Sequence, residues 1–239
     1  MRIACWSGPR NLSTAMMYAF GARSDCAVMD EPYYAAYLAA TGADHPMRDA
    51  ILAAHEIDPD AIAATCAASP PAGRAHVYQK HMTHHVLPGF DRSWFDAVRH
   101  VFLIRHPARV LASYAAKREN PTLEDIGFVQ QAEICAAVER SGQPVIVIDS
   151  TDIRAAPEAM LRQLCDALGI GFEPGMLSWP EGGHPADGIW AAHWYDAVHR
   201  STGFAGAEGP LPDLPDDLLP VRDAALPHYA RLRDLALKP

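Results

Sequence analysis

Three groups of residues in this 239-residue chain are of a type and spacing that could do chemistry on an anion. The first is Pro9-Arg10-Asn11-Leu12-Ser13-Thr14, which follows the apolar run Ile3–Trp6 and the turn residue Gly8 and precedes a helical pattern. Backbone N–H groups at the start of a helix converge on one point, and the helix dipole adds partial positive charge there. Gly8, Asn11, Ser13 and Thr14 would shape and line such a cradle, and Arg10 would bring the full charge that a P-loop takes from lysine. A plain turn at Gly8-Pro9, with Asn11 or Ser13 capping the helix, fits the same residues. The second group is Arg105, at the end of Val101–Ile104, with Ser113 eight residues later on a helix begun by Pro107. That pair can close on one anion, or Arg105 can meet an acidic neighbour.

The third group could move a proton. Glu31 follows the short run Ala27–Met29, and Lys80 ends the strand "HVYQK" before His81, His84 and His85. A histidine titrates near neutrality unaided, whereas Glu31 would need burial to act as a base at pH 7. The alternatives are a surface ion pair for Glu31 and a capped turn for the histidines. No acidic ligand supports a metal cluster. Trp190, His193, Trp194 and Tyr195 could line an acceptor pocket or face the core.

These residues need elements to position them. Ile3–Trp6, Ala27–Met29, Val77–Tyr78, Val101–Ile104 and Val145–Ile148 read as short buried strands, several rich in β-branched residues. Helical patterns fall at Leu12–Phe20, Pro46–Ala68, Arg92–Val98, Pro107–Lys117, Thr122–Arg140 and Pro157–Leu168. A last one covers Asp216–Leu237, where Pro220 and Pro227 should interrupt it. The alternation predicts βαβ crossovers and a parallel sheet, with the candidate residues at its carboxyl edge, where open α/β sheets hold ligands. One domain over residues 1–239 is expected, with Gly203–Pro215 a Pro/Gly-rich loop of unassigned role.

Composition narrows the function. A 49% apolar content supports a core, and a net charge of −9 argues against a nucleic-acid binder. Five scattered cysteines predict a reduced, cytoplasmic chain. The apolar start is broken after Trp6, so no secretory signal is expected, and no run is long enough to span a bilayer.

Together the motifs carry a resemblance. "PRNLST" is similar to the 5′-phosphosulfate loop of sulfotransferases that use 3′-phosphoadenosine 5′-phosphosulfate (PAPS), and "IRHPARVLASY" resembles their 3′-phosphate motif. "VIVIDSTDIRAAPEAMLRQLCDALGI" (Val145–Ile170) resembles a later segment of the same family. More narrowly, the chain looks like sulfotransferase-like proteins labelled as resembling branched-chain aminotransferases. The resemblance implies a parallel β-sheet flanked by helices in a P-loop nucleoside triphosphate hydrolase-like three-layer sandwich. It further implies PAPS as co-substrate, no metal, and sulfuryl transfer to a hydroxyl or amine of a small-molecule, carbohydrate or lipid acceptor. Arg10, Ser13 and Thr14 would hold the 5′ side, and Arg105 and Ser113 the 3′-phosphate. Arg10 and Lys80 would carry leaving-side charge, and Glu31, or a histidine from His81 and His84 to His85, would be the base. Two departures stand out: Leu12 occupies the usual place of a loop glycine, and Arg200–Gly203 replaces the late Arg-Lys-Gly loop only loosely. An ATP- and Mg²⁺-dependent phosphotransferase and a non-catalytic nucleotide-binding module are the rival expectations.

Overall fold

In a computed structural model describing residues 1–115 and 121–239, five parallel strands run in the order β2-β3-β1-β4-β5. The elements follow as β1 (Arg2–Ser7), α1 (Ser13–Gly21), β2 (Cys26–Asp30), α2 (Tyr34–Thr41), α3 (Arg48–Ala54), α4 (Pro59–Ala67) and β3 (His76–Met82). After them come β4 (Arg99–Ile104), α5 (Pro107–Ala115), α6 (Phe128–Arg140), β5 (Val145–Asp149), α7 (Ser150–Ala155) and α8 (Pro157–Leu168). The chain ends through α9 (Ala191–Trp194), α10 (Asp196–His199) and α11 (Leu219–Leu235). This is the helix-flanked parallel sheet expected from the strand–helix alternation.

Period-two alternation divides the strands between two cores. Ile3 and Cys5 of β1 pack with Val101, Leu103, Ile146 and Ile148 under α1 and α8. Ala4 and Trp6 point the other way, to Phe102, Ile104, Val147 and the buried faces of α4, α6 and α11. β2 and β3 lie to one side of β1, and β4 and β5 to the other. The order of winding therefore reverses at the β1/β4 pair, which opens a crevice beyond their carboxyl ends.

The structure differs from expectation in several places, each with a physical cause. The single helix expected over Pro46–Ala68 is two, because Asp58 caps a new start, accepting from the Asp60 N–H at 3.0 Å, and Pro59 follows at the first helical position. The segment Arg92–Val98 makes only a 3-10 turn. α6 begins at Phe128, after the Asp125 carboxylate ties the Thr122 N–H into a turn. Pro227 does not end α11; the helix runs through it with Ala225 and Leu232 buried on either side. The part of the Pro107–Lys117 helix beyond Ala115 lies outside the described residues. All five cysteines are buried free thiols.

Candidate active site at the carboxyl edge of the sheet

Each strand delivers a polar residue to the same end of the sheet, and a cleft of about 320 Å³ opens there. β1 is followed by Arg10–Thr14, β2 by Glu31, β3 by His84 and His85, β4 by Arg105, and β5 by Ser150 and Arg154; all line the cleft. Lys80 and Ser113 do so as well.

Gly8 makes the turn after β1 possible. A Cβ there would stand 2.3 Å from the Ile126 carbonyl oxygen, so only glycine allows the two backbones to approach. Gly8 itself does not line the cleft; its part is to let the loop fold inward. The loop then turns through two left-handed residues, Arg10 (φ 61°) and Leu12 (φ 72°). Leu12 is the residue before α1 and gives the helix no side-chain cap. Glu31, at φ 40°, is also left-handed. Left-handed backbone costs a non-glycine residue of order 1–3 kcal/mol, and such strain gathers at functional sites. Three of the four such non-glycine residues among those described line this cleft. Asn11 is not the cap either; its amide donates to the Leu103 carbonyl at 3.3 Å and staples the loop to β4.

The two arginine motifs meet. Arg10 Nε donates to Ser113 Oγ at 2.9 Å, and Arg105 Nη1 donates to the Arg10 carbonyl at 2.7 Å. Burial, reinforced by the charge of Arg105, holds the Arg10 guanidinium below its ordinary pKa. Two cations are brought together in this way, and Arg105 also pairs with the Glu208 carboxylate, the acidic neighbour that the sequence reading allowed for.

Beside it lies a buried acid–base cluster. Lys80 Nζ donates to Asp30 Oδ1 at 2.9 Å, to Glu31 Oε1 and to the Tyr195 hydroxyl. The Tyr195 hydroxyl also reaches both Asp30 oxygens at 2.9 Å, and Trp190 Nε1 donates to it at 3.1 Å. Burial pushes the Glu31 carboxyl above the usual carboxylate range; Lys80 pulls it back only in part, and Asp30 pushes it further up. Burial works against a charged Lys80, but Asp30 and Glu31 outweigh it and keep the ammonium ion.

The histidines separate. His81 is turned away from the cleft: on β3 it shares a face with Gln79, bonds to Gln79 Oε1 at 3.1 Å, and stacks on Trp6 with centroids 4.6 Å apart. Burial drives its pKa down to about 3, so it is a neutral core residue. His84 and His85 do line the cleft. His85 Nδ1 is 3.8 Å from Glu31 Oε2, its ring stacks on Tyr34, and burial, with His84 and His45 nearby, holds it well below the usual histidine value. Trp190 is in the core, as the commoner meaning of an aromatic stripe has it, while Trp194 and Tyr195 face the cleft. Asp149 caps α7 through the Thr151 N–H at 2.8 Å and accepts from the Tyr229 hydroxyl at 2.8 Å.

Sequence reasoning missed Tyr34, His45, Arg109, Arg154 and Glu208. Arg154 had a signal, since it sits one turn past the end of β5. Arg109 and Tyr34 had one too, lying four residues past Arg105 and three past Glu31. His45 and Glu208 join the site only through tertiary structure.

The fold and this crevice define an α/β protein that gathers arginines, hydroxyls and a buried carboxylate–lysine cluster at the carboxyl edge of a parallel sheet. The chain belongs to the family of sulfotransferase domains, which it matches over residues 1–236. It is 35% identical over 231 residues to branched-chain-amino-acid aminotransferase-like protein 2 of Arabidopsis thaliana, and 36% identical to the like-named protein 1. Each match covers 97% of this chain and 41% of the relative, so the chain spans well under half the length of those proteins. The sulfotransferase domain from the curacin biosynthetic pathway shares the fold with a TM-score of 0.58 at 16% identity, covering 99% of this chain and 98% of that one. The sulfotransferase domain of the Synechococcus PCC 7002 olefin synthase superposes with a TM-score of 0.50 at 17% identity, covering 93% of each.

Proposed function

We propose that the chain transfers a sulfuryl group from PAPS to a hydroxyl or amine, using the cleft at the carboxyl ends of β1 and β4. The observation that carries this is the convergence of Arg10 and Ser113, from the two motifs resembling donor-binding segments, at 2.9 Å beside Arg105. The residues fit the donor's chemistry. The start of α1, with Ser13 and Thr14, offers N–H and O–H donors to the 5′ side. Arg105 and Ser113 offer a fork and a hydroxyl to the 3′-phosphate. The donor supplies the sulfuryl group and departs as adenosine 3′,5′-bisphosphate.

The rest falls to the chain. Glu31 takes the proton from the acceptor as its oxygen or nitrogen forms the new bond to sulfur. Its raised pKa suits that task better than an ordinary carboxylate would. Arg10 meets the negative charge that grows on the leaving phosphate, and a preorganised donor of this kind lowers the barrier by about 3 kcal/mol. Lys80, its three N–H groups given to Asp30, Glu31 and Tyr195, adds its positive charge without a direct hydrogen bond. Tyr195 and Asp30 hold the Lys80 ammonium in place. The remaining lining, Tyr34, Trp194 and Phe204 among it, offers an aromatic wall to the acceptor.

Thermal unfolding with added nucleotide tests the donor class, because a ligand that binds only the folded state raises Tm. PAPS or adenosine 3′,5′-bisphosphate is expected to raise Tm without a metal, and ADP to do so less. A larger rise with ATP and Mg²⁺ would move the chain to phosphoryl chemistry. No rise with any of them would leave a fold that has lost its donor.

A further inference from the structure

Residues 205–209, part of the Pro/Gly-rich loop, carry a carboxylate into the arginine end of the cleft. Glu208 pairs through Oε1 with Arg105 Nη2 and, at 2.8 Å, with Arg154 Nη1; its Oε2 lies 3.1 Å from Arg109 Nε and accepts from Thr151 Oγ1 at 3.3 Å. Its side chain is only 3% exposed. The three arginines come from three elements: the end of β4, α5 and α7. Arg154 Nε also donates to the Gly206 carbonyl at 2.9 Å, and Arg109 Nη2 to that of Gly209. Among the described residues, every hydrogen bond and ion pair of residues 205–209 runs to Arg105, Arg109, Thr151 or Arg154.

One carboxylate is a poor match for three guanidinium groups. Among the described residues it brings one negative charge against three positive ones. The buried Nε of Arg105 has no hydrogen-bond partner among the described residues, and that of Arg109 meets Glu208 only as an ion pair without a hydrogen bond. A phosphate monoester brings −1.5 to −2 charge at pH 7 and three oxygens spread to meet several forks. Charge and donor geometry both favour it over Glu208. Burial works to raise the Glu208 carboxyl, yet the arginines, Arg105 foremost, hold it below its ordinary value, so the occupant is an anion.

We propose that Arg105, Arg109 and Arg154 form a phosphate-monoester site whose present occupant is the chain's own Glu208. The donor's 3′-phosphate then competes with Glu208, and its binding releases residues 205–209. This rests on the donor assignment above and adds to it two cations and an internal competitor. The segment is built to leave: it contains Gly206 and Gly209 and is followed by Pro210, and no atom would meet a Cβ built at either glycine.

Two measurements test it, with 5′-AMP as the ligand lacking a 3′-phosphate. In calorimetric titration, Glu208→Gln is expected to bind adenosine 3′,5′-bisphosphate at least about tenfold more tightly than the native chain does. That is the gain from removing a competing state populated 90% of the time. Its affinity for 5′-AMP should not change. On the unmutated chain, a glutamate-specific protease should cut after Glu208 slowly in the free protein and at least several-fold faster with saturating bisphosphate, with no change for 5′-AMP. Bisphosphate preferred over 5′-AMP, but with equal or weaker binding in the variant or slower cleavage, would overturn the competitor and keep the donor site. Bisphosphate bound no better than 5′-AMP by both forms would overturn the competitor and the donor assignment together.

Discussion

Arg10 and Ser113 are 103 positions apart in the chain, and their side chains share a hydrogen bond of 2.9 Å across the crevice between β1 and β4. One belongs to the turn after the first strand, the other to the helix after the fourth. They meet because the winding of the sheet reverses between these two neighbouring strands, so the loops that follow them leave toward opposite faces and frame one opening. A nucleotide carrying phosphates at both ends of its ribose needs such a two-sided frame.

Glu31→Gln should remove the proposed base and keep the fold, since an amide of the same shape replaces the carboxylate. The rate of PAPS-dependent sulfuryl transfer is expected to fall by about 10²–10⁴ with donor affinity little changed. The native rate should rise with pH through the Glu31 pKa, which burial sets above the ordinary carboxylate range, because the deprotonated form is the base. The variant should lack that limb. A variant that keeps the limb and most of the rate would pass the base role to another cleft residue.

Lys80→Ala removes the cation shared by Asp30 and Glu31 and leaves two buried carboxylates beside each other. Stability should drop by about 3–5 kcal/mol at neutral pH, measured by denaturant unfolding. The sign of the pH dependence follows from Glu31. An acid whose folded pKa lies above its unfolded value of about 4.3 costs stability fully above the folded pKa. That cost disappears as pH falls below the unfolded one. The deficit of the variant should therefore shrink toward pH 4; a deficit that grew on acidification would contradict the buried-carboxylate account.

Gly8→Ala places a methyl group against the Ile126 carbonyl, at 2.3 Å before relaxation. Overpacking of this kind costs about 1–3 kcal/mol, or roughly 2–4 °C in Tm per kcal/mol for a chain of this size. Gly89→Ala, where no atom lies within 4 Å of the added carbon, serves as the control and should leave Tm unchanged. Equal melting of the two variants would mean that the turn does not depend on the close approach.

Much of this was legible in the sequence because short-range signals carried it. Gly8 marked the turn, Pro107 marked the start of α5, and the apolar runs marked all five strands. The carboxyl end of β3 was not legible. The polar run Gln79–His81 breaks the apolar pattern and places the strand's end at Lys80, yet the strand continues to Met82 with those side chains buried and bonded. With the strand extended past Lys80, alternation sends His81 to the Trp6 face and away from the cleft, which the shorter strand could not tell. The cause is that the partners satisfying these groups, Asp30 and Glu31 for Lys80 and the Cys66 carbonyl for Gln79, are distant in sequence. Glu208 was hidden for the same reason: the arginines that hold it lie 54 and 103 positions away. By contrast, the break between α3 and α4 was written in Asp58-Pro59 as a cap followed by a first-turn proline.

The most direct test of the central claim is calorimetric titration of adenosine 3′,5′-bisphosphate into the native chain and into Arg105→Ala. ADP, and ATP with Mg²⁺, are titrated alongside. The account predicts metal-independent binding of the bisphosphate, tighter than that of ADP, with the preference abolished in the variant. Native binding that favours ATP with Mg²⁺, or a bisphosphate affinity that survives the loss of Arg105, would contradict it.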